Sequence, residues 1–398
     1  MTDGHDDWRP GGRGHEAWFG AASHADAAAL AGVIAALLPP GAVLPDIEVR
    51  RTGIRVGLRD RDLREAVSGA ARTLGLTADP QVLQRVGLQI DSEDPDRVTP
   101  FWQAAAQLTD TGDGALVDDL HRRPTLAFAR AAGTSALRNR FHLDVCHPDP
   151  QGDAVAAALA AGGREAFTSQ WYSTLADPDG NEVDLVPGGP WEGESTADWH
   201  TLFGAMVCYP ANTAGAAAAF AATAAGLADA AGIDLMIDLR PEGVVLDSGK
   251  DQWEEVAGFP DLAAAVQRAA RDTGLVADNR RLRFVQLALD AVDIPVVREF
   301  WRVVLGYEQA PNQDFFDLFD PRQLNPVLFL QRMDAADVER LRQPGRIRLD
   351  LQVPADQLAA RIDLAVAAGG RIIERDPAGL RHRLADPEGN ELILRVAR

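Results

Sequence analysis

Cysteine, lysine and aromatic residues are all scarce in this chain. Only Cys146 and Cys208 are present in 398 residues, which excludes a disulfide framework and any CxxC metal knuckle. Lys250 is the single lysine. Positive charge is in deficit, with 39 Lys plus Arg against 59 Asp plus Glu and a formal charge of -20. A balance of that sign repels phosphate backbones and anionic lipid, so neither nucleic acid nor a membrane surface is expected as a partner. No uninterrupted apolar run approaches the ~20 residues of a membrane span. The first residues, MTDGHDDWRPGGRGHE, lack the basic-then-apolar order of a secretory signal, and a cytosolic protein is expected.

What is present in quantity is internal repetition. GLTADP at 75–80 returns as GLVADN at 274–279, and LQIDSEDPDRVTPFW at 88–102 returns as LALDAVDIPVVREFW at 287–301, both 199 residues on. DPDGNEVDL at 177–185 returns as DPEGNELIL at 386–394, 209 residues on. The chain is therefore a duplication, 1–190 and 191–398, joined at the Pro- and Gly-rich stretch 186–196.

Each half splits again. In the first, 26–38 and 62–76 carry helical apolar spacing around two alternating segments, IEVR and GIRVGLR, which makes a small α+β unit. After Pro80 the order strand, helix, strands occurs twice, beginning at VGLQID and again at FHLDVC. The second half follows from Arg283. The expected fold class is α+β, with tandem βαβββ modules in two copies, each copy preceded by a small α+β unit. The expected segments are 1–80, 81–190, 191–280 and 281–398, each half closing its own eight-stranded, curled pair of modules.

Tandem βαβββ modules ending in D-P-x-G-N-E resemble the vicinal oxygen chelate superfamily, the glyoxalase and bleomycin-resistance type, over 82–187 and 281–396. The terminal motif also has a local meaning. Asp-Pro starts a turn, Gly takes positive φ and Asn caps the bend, so a structural role is expected for it. The α+β units are similar to pterin-4a-carbinolamine dehydratase, through Pro45, Asp46, Arg50 and Gly53 in one half and Arg240 and Gly243 in the other. Val43 and Leu44, and Ile233 and Asp234, stand where that family carries its histidine pair. Without imidazoles to move protons, both units are expected to be scaffold.

The superfamily resemblance implies one metal ligand on the first strand and one on the last strand of each module. Counting from the module helices assigns Gly87, Ala129, His142 and Asp184 in the first half, and Gln286, Gln331, Arg348 and Ile393 in the second. Neither half then owns a four-ligand set, so no metal or other cofactor is expected. His142 is expected as a base or hydrogen-bond donor oriented by Asp184, the alternative being a packed strand histidine. Arg348 with Gln286 and Gln331 would suit an anionic or carbonyl-rich ligand in the second cup, the alternative being an arginine paired with an acid. Trp171 and Tyr172 are expected to reach the first cup, and Phe315, Phe316 and Phe319 to line the second. Trp102 and Trp301 are expected in the core. The expected function is metal-independent binding of a bulky aromatic or carbonyl-rich small molecule, or cofactor-free catalysis on it, by a monomer or homodimer. The alternative is a lyase, isomerase or dioxygenase using a divalent metal.

Overall fold

The computed structural model describes residues 7–12, 14–132, 137–148, 151–310 and 316–397. Its contacts divide into two units. One takes residues up to Leu83 with Gly188–Leu282, the other Gln84–Pro187 with Arg283–Val396.

In the first unit the two α+β segments merge into one ten-stranded sheet. They meet where Ile47–Arg50 pairs antiparallel with Met236–Arg240, so that Glu48 lies opposite Asp238. Two buried carboxylates side by side would repel each other. Each is clasped instead by the arginine of the other strand, Arg50 to Asp238 at 2.7 Å and Arg240 to Glu48 at 2.6 Å, with Arg55 adding 2.8 Å to Glu48. The long helix Ala214–Ala231 begins at Thr213, whose side chain accepts from Ala216 N, and ends at Gly232 in the left-handed region. By length and composition this helix could cross a membrane, which reading for uninterrupted apolar runs did not anticipate. Here Phe220, Ala221, Ala224 and Ala228 pack one of its faces into the core of the unit, where alanine permits close approach of the helix His24–Leu37.

The second unit holds four βαβββ modules, which we call A (85–130), B (141–187), C (284–332) and D (347–396). Two eight-stranded sheets result, but not by pairing within each half as expected. Module B joins module C through antiparallel pairing of Phe141–His147 with Phe284–Ala291, and module A joins module D through Arg85–Ser92 with Ile347–Val353. The physical reason is that each first strand has one edge occupied by the last strand of its own module, as Leu143 by Val183. The other edge accepts any strand with a matching alternation. All four first strands alternate alike, so alternation alone does not choose the partner.

One face of both sheets is apolar and closes a shared core containing Leu88, Leu143, Leu287 and Leu349. We call the opposite faces, which carry the polar side chains of the first and last strands, the B–C and A–D cups. The Asp-Pro-x-Gly-Asn turns tie modules of the same half together from behind. Asp177 accepts from the backbone of Asp179 and Asn181 and from Trp102 Nε1 at 3.0 Å. Asp386 does the same for Glu388, Asn390 and Trp301 Nε1, again at 3.0 Å. Gly180 and Gly389 take φ 89° and 90° at these bends. The motif is thus a structural clamp, and Trp102 and Trp301 are fully buried core residues.

Candidate functional site

Strand alternation puts His142, Asp144 and Cys146 on the cup face of module B's first strand, because Leu143 and Val145 point into the core. Register then brings in their neighbours. Asp144 pairs with Asp184 on the parallel last strand and with Gln286 across the module junction, while His142 pairs with Ala288. Asp290, on the same face as Gln286, pairs with Gln331 on module C's last strand. Four side chains that the sequence distributed between two cups, His142, Asp184, Gln286 and Gln331, therefore converge in one.

Their geometry is close. His142 Nε2 lies 3.6 Å from Asp144 Oδ1 and 3.7 Å from Asp184 Oδ2. Gln331 Nε2 is 3.2 Å from the same imidazole nitrogen, a contact made when Nε2 carries the lone pair. Gln286 Nε2 donates to Asp144 Oδ2 at 2.7 Å. Thr174 Oγ1 donates to Asp184 Oδ1 at 2.6 Å, and Arg138 reaches Asp184 Oδ2 at 2.9 Å and Glu182 at 2.8 Å. His142 and Asp184 thus sit on neighbouring parallel strands.

The charge in this cup does not balance, although Asp290 on the same face has Arg340 as its partner. Asp144, Asp184 and Glu182 are met by one guanidinium, Arg138, and Asp144 has no arginine or lysine within ion-pair distance among the described residues. Burial pushes the Asp144 carboxyl above the usual carboxylate range, with Asp184 adding to the effect and His142 and Gln286 opposing it. Asp144 Oδ1, Gln286 Oε1 and His142 Nδ1 are buried without a hydrogen-bond partner. Ligand atoms of His142, Asp144 and Asp184 all lie within 4.8 Å of one another. One imidazole, two carboxylates and two amides are donors that suit a divalent cation of borderline hardness. Next to them, burial pushes the Cys146 thiol up to about 12, so it stays neutral.

The other cup is built on the same register and keeps only one of these donors, Asp350, already paired. Gly87 has no side chain and Ala129 only a methyl, and a Cβ on Gly87 would meet the Thr125 carbonyl at 3.1 Å. Arg348 occupies the place of His142 and is buried between Asp91 and Glu391, the latter at 2.5 Å. Asp350, in the place of Asp144, is held by Arg395 at 2.7 Å. Ile393 replaces Asp184 and is buried. The expected trio of Arg348 with Gln286 and Gln331 is not assembled, because crossed pairing puts the arginine in one sheet and the amides in the other.

Of the aromatic candidates, Tyr172 stands on the hairpin beside Thr174 with its ring 5.7 Å from that of Phe167. Trp171, on the same hairpin, is 70% exposed. Phe316 packs on the core under the Arg298 guanidinium and is not brought to the cluster. Phe319 pairs with Glu308 at the outer edge of the module C sheet, and Phe315 lies outside the described residues. Asp144 escaped the sequence reading, which allowed one ligand position per strand. The signal was available in FHLDVCH, where alternation places the aspartate on the face of the histidine.

The Glyoxalase-like domain family matches residues 87–186 and 286–394. No match was found among curated proteins. Among solved structures, the chain is similar to glyoxalase I from Zea mays, at 10% identity over 79% of this chain and 93% of that chain, with a TM-score of 0.40. A putative dioxygenase from Bacillus subtilis subsp. subtilis str. 168 is similar at 8% identity over 78% of this chain and 84% of that chain, with a TM-score of 0.39. A glyoxalase-related enzyme from Fulvimarina pelagi is similar at 21% identity over 27% of this chain and 84% of that chain, with a TM-score of 0.22. The matched residues fall in the four-module unit and leave the ten-stranded unit outside them. Spanning more than half of its residues, in both copies of the duplication, the match makes this chain a member of the Glyoxalase-like domain family, within the vicinal oxygen chelate superfamily.

Proposed function

We propose that the cup between modules B and C holds a divalent metal ion and binds a small molecule bearing two neighbouring oxygen atoms, as a lyase- or isomerase-type site, while the cup between A and D takes no metal. The observation that carries this reading is the buried cluster itself: Asp144, with one orphaned oxygen and no arginine or lysine within ion-pair distance among the described residues, lies with Asp184 and His142 so that ligand atoms of all three fall within 4.8 Å of one another. Burying an uncompensated carboxylate costs several kcal/mol, by the general scale of ~3–5 kcal/mol for a broken buried ion pair. A dication would remove that cost, whereas a metal-free site for an anionic ligand would increase it.

His142, Asp144 and Asp184 would hold the ion, with the amide oxygens of Gln286 and Gln331 in reach. When bound, such an ion polarises a ligand oxygen as a Lewis acid. The chain's own contribution is orientation. Thr174 and Arg138 fix the Asp184 carboxylate, and Gln286 fixes Asp144 so that its other oxygen stays available. Metal-free binding, expected from the sequence, depended on the ligands being split between two cups. That premise fails in the crossed arrangement.

The test is metal analysis of protein purified without chelator, followed by calorimetric titration of stripped protein with Mn2+, Ni2+ and Zn2+. About one equivalent per chain, abolished in His142→Ala with Asp184→Ala, is expected. Absence of binding by all three ions would overturn the reading.

A further inference from the structure

Beside the acidic cluster, on the same face and one pairing row further along the strands, the B–C cup is lined by Val186, Cys146 and Phe284. Cys146 pairs directly with Val186 on one side and Phe284 on the other. Tyr172 extends this row. It follows Ser169 across the hairpin and precedes Ser173, which pairs with Leu185, so the next position across is Val186. Its ring leans on Phe167, which itself pairs with Thr174 on the face of Asp184. Cys146 is buried, and the other three are partly exposed.

The A–D cup shows that the fold does not require this apolar row. At the equivalent positions Gln352 pairs with Arg85 on one side and Arg395 on the other, and Arg395 pairs with Arg381. One row of the same architecture is thus apolar and aromatic in one cup and cationic in the other. The apolar version adjoins the cluster of His142, Asp144 and Asp184, and the cationic version adjoins the self-neutralised one.

We infer that the ligand of the B–C cup is a compound with a flat, aromatic body and its oxygen atoms at one end, the body lying along Phe284, Cys146 and Tyr172 and the oxygens facing His142, Asp144 and Asp184. This inference rests on the metal reading above for the position of the oxygen end. Phe284 and Tyr172 are then specificity-determining residues. Burial of a phenyl ring against flat apolar walls favours it over a methyl group in proportion to the area covered.

Benzohydroxamic and acetohydroxamic acids share one chelating head and differ in phenyl against methyl, so they separate the two ends of the ligand. Each is titrated calorimetrically into manganese-loaded wild type, Phe284→Ala and Tyr172→Ala, with metal content measured in every sample and the same acids titrated into manganese in buffer as reference. The expected result is at least tenfold tighter binding of benzohydroxamate by wild type, about 1.4 kcal/mol. That preference should fall to threefold or less in at least one variant at unchanged metal content, and Tyr172→Ala, on a surface hairpin, serves alone if Phe284→Ala does not fold. Equal affinities for the two acids, or a preference retained in both variants, with manganese bound, would overturn this inference and leave the metal reading standing. Failure of wild type to take up any of Mn2+, Ni2+ and Zn2+ would overturn the metal reading and this inference together, and where only nickel or zinc is taken up that ion replaces manganese in the titrations.

Discussion

The two cups share register, topology and core, and they differ in how their buried charge is settled. In the A–D cup every acid on the floor has an arginine: Asp91 and Glu391 share Arg348, and Asp350 has Arg395. In the B–C cup the strand positions of those arginines are taken by His142 and Val186, and Asp144 is left with the Gln286 amide and with His142 at 3.6 Å. One cup is complete as folded. The other keeps buried carboxylates that a cation could neutralise, and the proposed metal site rests on that difference.

The strongest way to break the comparison is to unsettle the complete cup. Arg348→Met leaves buried Asp91 without its arginine and half-buried Glu391 with Arg383 alone at 3.5 Å, and should cost about 3 kcal/mol of stability, read from urea unfolding, with metal uptake by the B–C cup unchanged. A loss below 1 kcal/mol would mean that the two carboxylates are already solvated.

The comparison sharpens from the other side with His142→Ala. This change should lower affinity for a divalent ion by two decades or more while the melting temperature of metal-free protein moves by only a few degrees. A packed, purely structural histidine would produce the reverse pattern, with stability falling and ion affinity unmoved.

Gln286→Met removes the donor that orients Asp144. A loss of ion affinity of about tenfold is expected, the usual scale for a group that positions a ligand. Unaltered affinity would place Gln286 outside the site.

A smaller effect, with a defined sign, concerns Asp144 in metal-free protein. Its folded pKa is raised by burial, so the unfolded state ionises first and the stability it contributes at low pH is lost as pH rises from ~4 through the folded value. Asp144→Asn lacks that slope. Stripped Asp144→Asn should therefore gain stability relative to stripped wild type as pH rises from 4 to neutrality. Parallel pH profiles for the two proteins would refute the assignment of strain to this carboxyl.

Much of this could be read from the amino acids alone. The 199-residue repeat, the four βαβββ modules and the structural sense of DPDGNE and DPEGNE all follow from local patterns that the structure bears out. The cups could not be read in the same way, because a strand's alternation states which face is apolar and says nothing of which neighbour closes its edge. Assigning ligands half by half put Gly87 with His142 and Arg348 with Gln286, two mixtures of filled and empty positions. Crossed pairing sorts them into His142, Asp184, Gln286 and Gln331 against Gly87, Ala129, Arg348 and Ile393. Asp144 was missed for a different reason, since its role comes from lying opposite Gln286, more than a hundred residues away in sequence.

Crossed pairing also sets a timetable for a growing chain. Leu143 waits for Leu287, and Leu88 waits for Leu349, before either first strand has its second neighbour. At ~5–20 residues added per second, the edge of Phe141–His147 stays open for roughly 7–30 s while the intervening residues are made. During that interval the nascent first half presents two unfilled strand edges of matching alternation, and two ribosomes on one message would hold such edges close together. Ile47–Arg50 waits in the same way for Met236–Arg240, with Glu48 lacking Arg240 until then. Newly made chains are thus most exposed to mispairing before residue 284 emerges, which makes dilution during refolding and slow translation opposite in their effect on yield.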